Sequence, residues 1–225
     1  MKANKIAGLL LLAVLGGCHS GEQPQEHSPL AIPGEGPLPY GKWKFAFFTP
    51  EGLPARATHA RIIDTAGYLY TFNTLDSTQG DPNVTGTWRQ NTSSGSPNFN
   101  KAKQPPQYMV FCWDSIIDKK TYETSLYFPR SVWDKMRAST GIDMFGNTAW
   151  YDTMLFGLAP EGKVRVWLQN SAGGVNYPLP VEKLKTVSGD KLDICKGITR
   201  HSKGYSYTQK TQEFIKGKTY PYGNW

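Results

Sequence analysis

Two segments of strand length face each other across one short turn, and this arrangement restricts the fold more than any other feature of the chain. Residues 151–158 and 163–170 are joined by Ala159-Pro160-Glu161-Gly162. Proline at the second position of a four-residue turn pre-sets φ near about −65°, and glycine suits the fourth. In the second segment Val164, Val166 and Leu168 point one way, while Lys163, Arg165, Trp167 and Gln169 point the other. That is the two-residue period of a half-buried strand. So short a turn leaves no room for a crossover, so the two strands pair antiparallel.

The same period recurs upstream. Lys42-Trp43-Lys44-Phe45-Ala46-Phe47-Phe48 sets Trp43, Phe45 and Phe47 on one face, and Thr49-Pro50-Glu51-Gly52 reads as its end. Residues 58–64 and 68–72 flank Thr65-Ala66-Gly67 as a second hairpin. Residues 108–115 are strongly apolar, as a central strand is, and 121–128 alternate Tyr122, Thr124, Leu126 and Phe128 against mostly polar neighbours. Residues 175–181 and 184–187 read as further short strands. Pro129 suits the first turn of a helix, and Val132, Trp133 and Met136 then share one face over 130–137. A second short helix fits 209–215. Aromatics at 13%, with 23 Gly and 16 Pro, agree with a strand-and-turn chain. The expectation is a mainly β fold, an antiparallel β-sandwich-like domain over residues 40–200 with one short helix, followed by an aromatic and polar tail over 201–225. Residues 73–106 are polar and rich in Gly, Ser, Asn and Pro, longer than loops of compact domains usually run. Trp88 and Phe99 within them predict partial docking on the body.

The N-terminus is of another kind. Lys2 and Lys5 precede a short apolar run from Ile6 to Leu15, which closes on Gly16-Gly17-Cys18. A run this short cannot cross a hydrocarbon core of about 30 Å as a helix, so it reads as a signal peptide over residues 1–17. Leu15-Gly16-Gly17-Cys18 resembles the lipobox of bacterial lipoproteins, in which the cysteine sulfur takes a diacylglycerol and becomes the new N-terminus. Residues 18–39 then read as a lipidated flexible tether: they hold five prolines and few large apolar side chains. A coil of this length reaches about 25 Å at roughly 5–6 Å × √n. The expected location is a membrane, facing the periplasm. His19 rather than Asp follows the cysteine, which favours the inner leaflet of the outer membrane.

Losing the leader, with its two lysines and no acids, lowers the formal net charge from +7 to +5. Lys and Arg are scattered rather than clustered, which argues against nucleic acid as a partner. Cys112 and Cys195 remain, and an oxidising compartment allows either a disulfide between them or two separate buried thiols.

The sequence offers no catalytic set. It has no Gly-x-Ser-x-Gly elbow, and His59, on a strand near Arg61, reads as an exposed strand residue. Neither His-x-x-x-His nor Cys-x-x-Cys occurs, and Asp114, Asp118, Asp143 and Asp152 lack the spacing of a calcium loop, so no metal and no cofactor is expected. Binding fits better. Trp88 in the long loop, and Arg165 beside Trp167 on one strand face, are of the residue types that dominate interface energetics. Trp43, Trp113 and Trp133 read as core.

Trp43-Lys44-Phe45 leading into Thr49-Pro50-Glu51-Gly52, Phe111-Cys112-Trp113, Phe128-Pro129 opening a helix with Trp133, and Phe156-Gly157-Leu158-Ala159-Pro160-Glu161-Gly162 with its flanks together form one pattern. Over about residues 40–185 it resembles the bacterial lipoprotein family catalogued as domain of unknown function twenty-nine thirty-one. Lipoproteins of this kind are often encoded beside type VI secretion effectors, phospholipases among them, and are taken to be immunity proteins. The resemblance therefore implies a periplasmic lipoprotein that inhibits a secreted toxic effector protein by occluding its active site. The alternative is an envelope lipoprotein that binds glycan or another envelope protein.

Overall fold

The computed structural model describes residues 30–33, 35–89, 92–93, 97–181 and 183–225, and the backbone alone over 79–85. Residues 1–17, read above as a signal peptide, Cys18 and the first part of the expected tether lie outside the described residues. The strands are β1 (Trp43–Glu51), β2 (Ala55–Asp64), β3 (Leu69–Phe72), β4 (Gln79–Thr85), β5 (Lys101–Ala102), β6 (Pro106–Ser115), β7 (Lys120–Tyr127), β8 (Ser139–Ile142), β9 (Thr148–Trp150), β10 (Thr153–Ala159), β11 (Lys163–Leu168), β12 (Tyr177–Pro178) and β13 (Lys185–Ser188). The helices are α1 (Arg130–Met136) and α2 (Gln209–Ile215). One sheet runs β12-β11-β10-β1-β4, with β5 also on β1, and the second runs β13-β7-β6-β2-β3. The fold is mainly β, and both sheets bury their alternating apolar residues between them. Phe47 meets Phe111 and Phe45 meets Phe72, each with ring centroids 5.1 Å apart. Trp43 and Trp113 are fully buried, and Trp133 of α1 donates its indole N–H to the Pro106 carbonyl at 2.6 Å. Each such large side chain contributes roughly 1.5–3 kcal/mol through burial.

The hairpins read from sequence are present, with Leu158 opposite Val164 and Ala159 opposite Lys163. The first sheet is nevertheless mixed: β1 pairs parallel with both β10 and β4. Nothing local sets that direction, because most of the second sheet lies between β1 and β10 in the chain. Every residue of β10 is buried, as a parallel strand covered on both faces requires. β1 runs on to Glu51 instead of ending at Thr49, with a register shift between Pro50 and Glu51. A proline at the irregular end of a strand removes no ladder bond that the sheet needs. The long segment 73–106 contributes β4 and β5. The hairpin of β8 and β9 was not anticipated, and the strand expected over 175–181 shrinks to β12. α1 and α2 lie where the two short helices were expected.

The segment expected to be tether is in part domain. Ile32 N–H bonds the Thr65 carbonyl at 2.8 Å, Leu38 is buried, and Glu35 pairs with Arg130 at 2.9 Å and Arg137 at 3.2 Å. Few apolar residues lie there, but the body is shaped to receive them. Residues 201–225 likewise pack onto the body. Gly86 and Gly223 cross so closely that a Cβ on either would overlap the other's backbone region.

Candidate binding face

Residues 46 and 48 of β1 point away from the core, as strand alternation dictates. There Ala46, Phe48, Leu155 and Trp167 form a second, smaller apolar cluster. Trp167 lies opposite Leu155 across the β10–β11 ladder, and Arg165 lies opposite Gly157. Gly157 has no side chain, and Trp88 from the long segment fills that space. A Cβ at Gly157 would sit 2.7 Å from Trp88 Nε1 and 2.9 Å from Trp167 Cζ3. The ring of Trp88 meets Trp167 edge-on at 6.0 Å and Trp225 at 6.5 Å, and the Arg165 guanidinium sits 5.7 Å from its centroid. Trp88 Nε1 is buried and has no hydrogen-bond acceptor among the described residues.

The three residues singled out in the sequence thus meet. Their roles differ, however, from a shared exposed face. Trp167 is 4% exposed and lies beneath Trp88, so only Trp88 and Arg165 present surface. Beside them opens a cleft of about 330 Å³ lined by Val164, Val166, Trp167, Pro178, Leu179 and Val181. A cleft walled by apolar side chains, with more polar than apolar surface open to solvent and an indole and a guanidinium at its rim, can take an aromatic side chain and pair a neighbouring carboxylate. Sequence reasoning missed Gly157 and Trp225. Counting back from the turn would have placed Gly157 opposite Arg165, whereas nothing local announced Trp225.

At the far end of the sandwich, Asp118 ties three elements together. It accepts from the Glu161 N–H at 2.9 Å, from Tyr122 OH at 3.0 Å and from Tyr220 OH at 2.7 Å. Burial, and then the Asp118 carboxylate, push both phenols well above the usual tyrosine range. These groups border a polar cleft of about 520 Å³ that also receives Lys120 and Lys191. The Glu161 backbone is left-handed at φ 66°, and a Cβ on Gly162 would press on Tyr122 at 2.9 Å. Hence both glycines of Gly157-Leu158-Ala159-Pro160-Glu161-Gly162 are occupied by neighbours: one holds Trp88, the other Tyr122.

The outer face of the second sheet is closed by the segment that follows β13. Cys112 and Cys195 are joined in a disulfide. Asp114, fully buried, accepts from Thr121 Oγ1 and Thr199 Oγ1 at 2.8 Å and from Arg200 N–H and Tyr205 OH at 2.9 Å. The reading of His59 as exposed is corrected too: it is 6% exposed, with Nδ1 2.8 Å from Asn73 Oδ1. A bulge between Ala57 and His59 turns it to face the same side as Cys112. Among the described residues, no three His, Cys, Asp or Glu side chains converge as metal ligands.

A family model described as "Protein of unknown function (DUF2931)" matches residues 20–223, a span that includes the long segment and the C-terminal residues. No curated protein and no solved structure matches the chain.

Proposed function

We propose, from the premise that the chain belongs to the DUF2931 family, that it is a lipid-anchored periplasmic protein acting by binding rather than catalysis. Its partner is a toxic effector enzyme, a phospholipase by preference, whose active site it occludes. The observation that carries this reading is the Trp88–Arg165 rim beside its cleft, held by two further tryptophans and by Gly157. A rigid aromatic anchor beside an arginine loses little entropy on binding and supplies hot-spot chemistry. Lipidation at Cys18 would concentrate the binder at the surface where a phospholipase acts, which raises occupancy without new contacts.

The test is protection in cells. Co-production with a periplasm-directed effector encoded beside its gene should restore growth, and Arg165→Glu should abolish protection while leaving protein abundance unchanged. Failure of the unaltered chain to protect against any neighbouring effector would end this reading. The polar cleft around Asp118, Tyr122 and Tyr220 supports a second reading, recognition of an envelope glycan. In that case peptidoglycan or lipopolysaccharide fragments, rather than a protein, would shift the Tyr220 signals.

A further inference from the structure

We infer that the end of the sandwich from which the N-terminal segment departs rests on the phospholipid bilayer surface, with the β8–β9 hairpin tip as its insertion point. The starts of β1, β6 and β10 and the ends of β2, β7 and β11 share this end, as their registers require. Trp43 Nε1 ties β1 to the β5–β6 link there by donating to the Gln104 carbonyl at 2.7 Å. Large apolar side chains are exposed at this end in numbers unlike the rest of the described surface. Met144 is 89% exposed and Phe145 79%, with Ile142 beside them on the hairpin, Tyr68 and Leu69 in the β2–β3 turn, and Val175 before β12.

The tip is built rather than loose. Asp143 Oδ1 accepts the N–H groups of Phe145 at 2.9 Å and Asn147 at 2.8 Å, and the Asp143 carbonyl accepts Gly146 N–H at 3.0 Å. These bonds orient the turn while leaving Met144 and Phe145 without intramolecular cover. Exposed apolar side chains at this density call for an apolar environment.

The bilayer is the occupant because of where the chain leaves. The Leu30 carbonyl is held by Gln107 Nε2 at 2.6 Å, at the start of β6. Eleven residues lie between Cys18 and Leu30. They span no more than about 40 Å, so an anchor at Cys18 would tether the domain by this end. Basic groups suit anionic headgroups: Lys42 and Lys103 are exposed there, and Lys135 and Lys183 lie over the Tyr177 and Tyr127 rings. The inference rests on the lipid-anchor reading for its geometry. It places the Trp88–Arg165 face along the side of the domain, open to an enzyme working on the same bilayer.

The test uses the full chain, processed as the cell leaves it, reconstituted into phosphatidylethanolamine–phosphatidylglycerol vesicles. With the other cysteines acylated or in the disulfide, Met144→Cys supplies one thiol for an environment-sensitive fluorophore, and Glu161→Cys labels the opposite end. Doxyl-labelled lipids should quench the Met144→Cys label at least threefold more than the Glu161→Cys label, and Phe145→Asp should remove most of that difference. Equal quenching at both ends, or none at either, overturns the inference. So does protection of the Met144→Cys label from aqueous iodide only when an effector protein is added, since the tip would then be a protein contact. Intact mass separately reports whether Cys18 carries diacylglycerol, so a failed anchor and a failed docking surface give different results.

Discussion

Gly157→Ala adds one methyl group on the outer face of β10, where Trp88 Nε1 and Cε2 and Trp167 Cζ3 would lie within 2.9 Å of it. Trp167 is wedged between Phe48, at 5.5 Å, and Trp88, so the ring that yields is Trp88, carried on the long segment between β4 and β5. Displacing it loses two aromatic contacts worth about 0.5–1.5 kcal/mol each and a cation–π contact of about 0.5–1 kcal/mol. Alanine recovers about 0.5–1 kcal/mol over glycine inside a strand. The net loss is about 1–3 kcal/mol, or a fall in Tm of roughly 2–12 °C at 2–4 °C per kcal/mol for a domain of this size. Calorimetry on Gly157→Ala, Trp88→Ala and the double variant forms the decisive cycle. If the ring is what the methyl group strikes, Gly157→Ala becomes neutral or stabilising in the Trp88→Ala background. An equal loss of Tm in both backgrounds would refute the reasoning, as would no loss in either.

Three further predictions concern the covered outer face and the far end. Opening the disulfide with Cys112→Ser and Cys195→Ser removes a link across a sequence separation of 83. The chain-entropy relation puts the loss at about 4–5 kcal/mol, and limited proteolysis should then cut between residues 189 and 208 first. Asp114→Asn weakens four hydrogen bonds to a carboxylate; charged bonds contribute roughly 1.5–3 kcal/mol each but not additively, so a loss of about 2–4 kcal/mol in urea unfolding is expected. Tyr122 and Tyr220 are raised first by burial and then by Asp118. The folded chain therefore holds more protons than the unfolded one above the free phenol value of about 10. The stability these two groups contribute is complete below that pH and is lost as pH rises beyond it. Tyr220→Phe should flatten the alkaline decline in Tm, and an unchanged slope would contradict the assignment.

The β11 alternation and the Pro160–Gly162 turn carried the central hairpin because both are local. α1 was legible for the same reason, through Pro129 and a short apolar face. The parallel partners of β1 were not legible, since strand direction across some hundred residues depends on the whole second sheet. The β8–β9 hairpin went unread because its turn is made by Asp143 bonding backbone N–H groups, and its apolar residues sit outside, against the usual pattern. Trp88, Arg165 and Trp167 were chosen by residue type. Alternation correctly put Arg165 and Trp167 on one outward face. It could not show that Trp88 would cover Trp167, because that depends on Gly157 in the neighbouring strand. The disulfide partners stood on segments with no local relation, so only the fold could join them.

The central claim is that the Trp88–Arg165 face binds and silences an effector enzyme. Its most direct test is a titration of purified effector, encoded beside this gene, with the lipid-free chain while hydrolysis of phospholipid vesicles is followed. Activity should fall linearly to near zero at one equivalent, and Arg165→Glu combined with Trp88→Ala should restore it at the same ratio. Undiminished hydrolysis at excess chain, or equal inhibition by the doubly substituted chain, would contradict the account.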